Sequence, residues 1–247
     1  MRVPSRVTRN RRRPIDQAIL RGAIAVGVAL LSTDAAAQVS GSVSIVSDYR
    51  YRGVSLSDRD PAAQVGVAYD DAQGWYAGAF LSTVRLFASS SRDLQAVPFV
   101  GYAWQFPSGV STEIGASYSV FTGAHSYGYS EVYWGFAWGN VSGRLYYSPR
   151  YFGRDADAVY AELNGAQPLT ERIRLLAHVG ALRTGGGDAY GISTDHNVFD
   201  ARVGIGFELD PFNVQLSWVT ISSTTAGYPV AGNGGRNGAV LTLSRSF

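Results

Sequence analysis

From residue 38 onward, apolar side chains recur at every second position. Val39, Gly41, Val43, Ile45, Tyr49 and Tyr51 alternate with Ser40, Ser42, Ser44, Asp48, Arg50 and Arg52. Phe199, Ala201, Val203, Ile205, Phe207 and Leu209 alternate with Asp200, Arg202, Gly204, Gly206 and Glu208 in the same way. A period of two marks a strand with two unlike faces, and no stretch after Gln38 keeps a helical period long enough to predict a helix. Twelve strands are predicted, over Val39–Arg52, Ala62–Asp70, Trp75–Val84, Asp93–Gln105, Val110–Phe121, Tyr129–Gly139, Val141–Phe152, Asp157–Gln167, Arg172–Arg183, Val198–Leu209, Phe212–Ser222 and Asn237–Phe247. The count falls to ten if the weakly patterned Trp75–Val84 or Asp93–Gln105 stretches are misread.

The connections sort by length. Every second one is tight (Asp71–Gly74, Phe106–Gly109, Gly139–Asn140, Pro168–Glu171 and Asp210–Pro211), and the others are mostly longer and rich in Gly, Ser and Asp. Most of the strands are close to the length that crosses a bilayer on a tilt, about 9–11 residues. An even number of them, with short turns at one end and long loops at the other, predicts an all-β fold: a single closed antiparallel transmembrane β-barrel. Closure follows from the solvent, because hydrocarbon offers no partner to an unpaired backbone group. The composition suits strands and tight turns better than helices, with 13% aromatic residues and 29 Gly. Charged residues make up 16%, against about 25% in soluble domains.

The formal charge of +2 conceals a split. All 21 basic residues are Arg, and seven of them lie in the first 21 positions. The apolar run Gly22–Leu31 follows, then Ala35-x-Ala37, so residues 1–37 read as a cleaved secretory signal peptide and 38–247 as the barrel. The apolar run is too short for a membrane-spanning helix, which needs about 20 residues. Without this leader, fourteen Arg face seventeen carboxylates, a mildly acidic balance that removes the electrostatic basis for nucleic-acid binding. Cys is absent and His numbers three, so thiolate chemistry is excluded and a histidine metal site nearly so.

In a lipid-embedded barrel the apolar face looks outward and the polar face lines the axis. By phase, the inner wall carries Asp48, Arg50, Arg52, Glu113, Glu131, Arg144, Arg150, Glu162, Arg174, Asp200, Arg202 and Glu208, with His178 on the same side. Six Arg and six carboxylates on one surface are costly in a dry core and acceptable in a hydrated or ion-paired lumen. Folding the hairpins about their turns sets Glu162 opposite His178, His178 opposite Arg202, Arg174 diagonal to Glu208, and Arg150 near Glu131. Such a network is either a charged constriction that selects hydrated solutes or a set of ion pairs that plugs the barrel. Asp48, Arg50 and Arg52 are expected near the loop end, lining the pore or pairing with Thr242 and Ser244. Trp75, Tyr102, Trp104, Trp134, Trp138, Tyr147, Tyr151 and Trp218 are expected outside as interfacial aromatics. Phe247 closes an amphipathic last strand, in the manner of the signal read by outer-membrane assembly machinery.

The segments SDYRYRGVS at 47–55 and RDPA at 59–62, with YSPRYFG at 147–153, YAELN at 160–164, AHVG at 177–180 and the final strand, resemble the TorF-type family of porin-like Gram-negative outer-membrane proteins. The resemblance spans essentially the whole chain after the leader and implies an outer-membrane barrel and a pore. It supplies no substrate and no binding residues. Where the family pattern leads us to expect an aromatic soon after Gly180, this chain has Ala181, Leu182 and Arg183.

The expected function is passive diffusion of small polar solutes or ions across the outer membrane, after export through the periplasm. The alternative is a non-conducting barrel that serves as an anchor or interaction scaffold. Partners are then outer-membrane lipid and lipopolysaccharide, the assembly machinery and the solutes, with no nucleic acid and no cofactor. No enzymatic activity is expected: a lipid hydrolase needs Ser and His together on the lipid-facing wall, and His178 falls on the lumenal face while His125 and His196 fall in loops. The loop acids show no ordered ligand spacing for calcium.

Overall fold

The computed structural model describes residues 38–86, 92–186, 196–223 and 235–247. The expected leader, 1–37, and most of the two glycine-rich loops lie outside them. The strands are β1 Gln38–Val46, β2 Arg50–Tyr51, β3 Val54–Ser55, β4 Ala62–Asp70, β5 Trp75–Val84, β6 Asp93–Gln105, β7 Val110–Phe121, β8 Tyr129–Trp138, β9 Val141–Ser148, β10 Ala156–Pro168, β11 Ile173–Gly186, β12 His196–Leu209, β13 Phe212–Ile221 and β14 Asn237–Ser246. All except β2 and β3 close into one barrel in which each strand pairs antiparallel with its chain neighbours, and β1 seals it by pairing with both β4 and β14. The architecture is therefore all-β, with twelve strands in the wall.

The two faces separate as the alternation requires. Val65, Val67, Val132, Leu145, Leu163, Val203, Leu216 and Leu241 stand exposed on the outside, an apolar band running round the wall. Ser42, Gln64, Ser82, Gln95, Glu113, Glu131, Glu162, Asp200 and Ser217 are buried on the inside. This inversion of the soluble pattern is that of a barrel solvated by lipid. Trp75, Trp104 and Trp138 are exposed near the turn ends of β5, β6 and β8, and Tyr102 joins Trp75 and Trp104 with ring centroids 5.1 and 4.7 Å apart. Aromatics at that level belong to a membrane–water interface.

The tight turns obey local sterics. Gly74 sits at φ +101, and a Cβ there would stand 2.5 Å from the Ala103 carbonyl oxygen, so glycine is needed for both the dihedral and the close approach. At the seam, Phe247 extends the β14 ladder by exchanging backbone hydrogen bonds with Gly41 at 2.9 and 3.0 Å. Its exposed ring lies over Gly41 on the outer face.

Two strands end earlier than the alternation suggests. β1 stops at Val46, so Asp48–Arg52 is not its continuation. β9 stops at Ser148, before Pro149, which has no N–H to donate to the ladder. A 3-10 turn over Tyr151–Gly153 then reverses the phase of the side chains. Tyr151, expected outside, is consequently buried within the barrel mouth.

Candidate functional site

The first loop folds into the barrel instead of away from it. β2 and β3 pair Arg50 with Ser55 and Tyr51 with Val54, joined by a two-residue turn in which Arg52 (φ +49) and Gly53 (φ +80) are both left-handed. Such turns match the right-handed strand twist and favour glycine at the second position. Asp48 braces the hairpin from within, accepting hydrogen bonds from Arg50 Nε at 2.6 Å, Ser55 Oγ at 2.5 Å and Ser57 Oγ at 3.4 Å. Arg50 also donates to the carbonyls of Gly53 and Gly235. The Tyr49 hydroxyl donates to Gln95 on β6, and the Arg85 N–H donates to the Leu56 carbonyl at 2.7 Å.

The hairpin crosses the lumen. Starting from β1, its tip reaches β8, β9 and β10, on the opposite side of the twelve-stranded ring. Arg52 Nη2 donates to Glu131 Oε1 at 2.8 Å, and Nη1 donates to the Tyr151 hydroxyl at 3.1 Å. The guanidinium carbon lies 4.8, 4.9, 5.5 and 4.3 Å from the ring centroids of Tyr51, Tyr146, Tyr151 and Tyr160. Burial disfavours the Arg52 charge, but Glu131 and the surrounding hydroxyls together outweigh it, and the group's pKa is raised well above the ordinary guanidinium value. Burial also raises the Tyr51 hydroxyl well above the ordinary phenol range, so it stays a hydrogen-bond donor. Around the hairpin, Val54 and Leu56 pack with Val84, Phe121, Tyr129, Phe152, Leu182, Val198 and Ile221 in one buried cluster. This apolar core fills the loop-end part of the barrel.

Further along the axis the wall is polar. Glu113 accepts from Arg144 Nε and from the Tyr76 hydroxyl at 2.6 Å, and the Tyr146 hydroxyl, near Arg144, donates to Glu162 at 3.4 Å. His178 Nε2 lies 2.8 Å from Asp200 Oδ1 and 3.2 Å from the Tyr160 hydroxyl, and its Nδ1 lies 2.8 Å from Asn164 Oδ1. A small cavity lies among Glu113, Ser142, Arg144, Glu162 and Asn164. Arg174 and Glu208 pair nearer the turn end, with 39% and 46% of their side chains exposed. Arg202 forms no ion pair among the described residues, although it stands opposite His178 in the β11–β12 register.

The predicted lumenal residues thus divide. Glu131, Arg144, Glu162, Arg174, His178, Asp200, Arg202 and Glu208 are on the inner face of the wall, while Asp48, Arg50 and Arg52 enter the lumen on a separate hairpin. Arg150 is the exception: with β9 ended at Ser148, it is exposed in the loop, and Glu131 pairs with Arg52 in its place. Glu162 faces Gly180, and Asn164 faces His178. The β10–β11 hairpin is centred on Glu171 rather than Thr170, which moves each cross-strand partner by two positions. The pairing of Arg50 and Arg52 with Thr242 and Ser244 does not occur, because these face Val46 and Ser44 of β1. The tyrosines of the site were missed, although Tyr133, Tyr146 and Tyr160 share the phase of Glu131, Arg144 and Glu162 and could have been assigned inward from it.

Comparison with solved structures finds the same kind of wall. The chain superposes on a structure described as "KdgM porin" with TM-score 0.52 at 11% identity, covering 84% of this chain and 99% of that one. It superposes on "NanC porin structure in rhombohedral crystal form" with TM-score 0.51 at 9% identity, covering 85% and 98%. At these identities the likeness is one of fold. No curated protein matches. Residues 31–247 match the family described as "Bacterial protein of unknown function (Gcw_chp)", and this chain, a twelve-stranded barrel with the fold of outer-membrane porins, belongs to that family.

Proposed function

We propose that the protein is an outer-membrane, porin-like channel for passive diffusion of small polar solutes or ions, with a resting aperture set by the inward-folded first loop. The observation that carries this reading is the enclosed, charged inner wall within an apolar exterior. Arg202 stands there without an ion pair among the described residues, opposite His178, which itself lies against Asp200. Opposed charges across a narrow axis set a transverse field that sorts hydrated solutes by charge and size. The porin fold of the neighbours and the TorF-type resemblance support it. Outer-membrane lipid and lipopolysaccharide would contact the apolar band, and the assembly machinery would read the last strand ending in Phe247.

Refolded protein in planar lipid bilayers tests the channel. Discrete openings are expected, with altered ion preference in Arg202→Ala and larger or longer openings when the hairpin is loosened by Arg52→Ala. Silence from all three proteins would refute conduction. That outcome would leave the second reading, a closed barrel acting as anchor or interaction scaffold, which the filled loop end favours. Liposome swelling with sugars, amino acids and anions then identifies the solute class.

A further inference from the structure

We infer that the pocket holding Arg52 is a binding site for cationic solutes carrying a guanidinium or a substituted ammonium, occupied in this structure by the chain's own hairpin. The pocket is built by elements other than the hairpin. Tyr146 comes from β9, Tyr160 from β10 and Tyr151 from the turn between them, and Glu131 of β8 supplies the carboxylate. The rings are braced from behind: Tyr129 packs edge-on to Tyr151 at 5.0 Å, and Phe152 contacts Tyr129 and stacks on Phe121. Ring faces converging on one point attract cations, most strongly when desolvated.

Glu131 makes the case specific. Among the described residues the hydrogen bonds to its carboxylate come from the hairpin alone, Arg52 Nη2 at 2.8 Å and the Tyr51 hydroxyl at 3.2 Å. With the hairpin seated Glu131 is 5% exposed, so loss of the Arg52 side chain leaves a buried carboxylate without its cation, beside the three wall tyrosines that surround the guanidinium. A buried anion without a partner is costly, so the site calls for a cation, whether Arg52 or a solute that resembles it. Tethering gives Arg52 a high local concentration, so a free ligand competes poorly until Arg52 is removed. The inference goes beyond the channel reading, because a cation can occupy this cage whether or not ions cross the barrel.

The test uses Arg52→Ala refolded in detergent, its barrel verified by heat-modifiable gel migration. Tetramethylammonium chloride and L-argininamide are titrated against it, with sodium chloride at equal ionic strength as the control, and binding is read by calorimetry and tyrosine fluorescence. Saturable binding of both organic cations and none of sodium are expected, with weaker binding of the same two cations by the wild type, where Arg52 competes. Adding Glu131→Gln should weaken binding roughly tenfold or more, because the charged acceptor is lost. Arg52→Met, which keeps much of the stem, supplies a second background with the same expectations. No saturable binding in either background, or equal affinity with and without Glu131→Gln, would overturn the inference. Failure of both backgrounds to fold would also overturn it, by making Arg52 an obligatory structural cation.

Discussion

Replacing Arg52 by Ala, Glu131 by Gln, and then both together isolates the contact that holds the hairpin across the barrel. The two side chains are 4% and 6% exposed and meet at 2.8 Å. Removing one member of a buried pair typically costs about 3–5 kcal/mol, because the other charge is left without compensation. Arg52→Ala should therefore destabilise by about that amount, unless the hairpin swings out. That escape is opposed by burial of Val54 and Leu56, 2% and 0% exposed, which contributes about 1.5–3 kcal/mol per side chain. Glu131→Gln keeps an acceptor for Arg52 and leaves the rings in place, so a smaller loss of about 1.5–3 kcal/mol is expected. In the double variant no charge is orphaned, and the combined loss should fall short of the sum by at least about 1 kcal/mol. Urea unfolding in lipid vesicles, followed by tryptophan fluorescence and heat-modifiable migration, gives the three values at unchanged slope. Additivity within about 0.5 kcal/mol would show the pair to be uncoupled, and the hairpin would then be held by its apolar contacts alone.

Other parts of the barrel should respond differently. Arg174→Ala, which breaks a pair with side chains 39% and 46% exposed, should change stability by less than about 1 kcal/mol in the same unfolding assay. Leu216→Arg, at an outward position 50% exposed near the middle of β13, should cost about 2–4 kcal/mol in lipid. Thr242→Arg on the adjacent inner face should cost much less, and equal costs for the two would contradict the lipid-facing assignment. Gly53→Ala forces a left-handed residue and sets a Cβ 2.8 Å from Asp200 Cβ. It should unseat the hairpin tip, lower stability by about 1 kcal/mol or more, and raise protease sensitivity at the loop end.

The alternation of side chains determined most of the wall. Val132, Trp134 and Trp138 outside and Glu131, Tyr133 and Ala137 inside follow from the pleat, because each strand has only two faces and lipid accepts only one of them. Short turns such as Asp71–Gly74 were legible for a similar reason, since a tight reversal requires particular local dihedrals. The direction of the first loop was not. Asp48, Tyr49, Arg50, Tyr51 and Arg52 continue the same polar–apolar alternation, and nothing local distinguishes a longer β1 from a chain that leaves the wall at Val46. That choice belongs to residues far away in sequence: Gln95, Glu131, Tyr146, Tyr151 and Tyr160 supply the hydrogen bonds and ring faces that receive it. Arg150 shows the converse, a charge in the right phase placed outside because β9 ends two residues earlier. The sequence by itself decided which face of each strand is apolar, a short-range property of the pleat. What fills the axis was decided only by tertiary structure, because partners from opposite walls come together only once the barrel has closed.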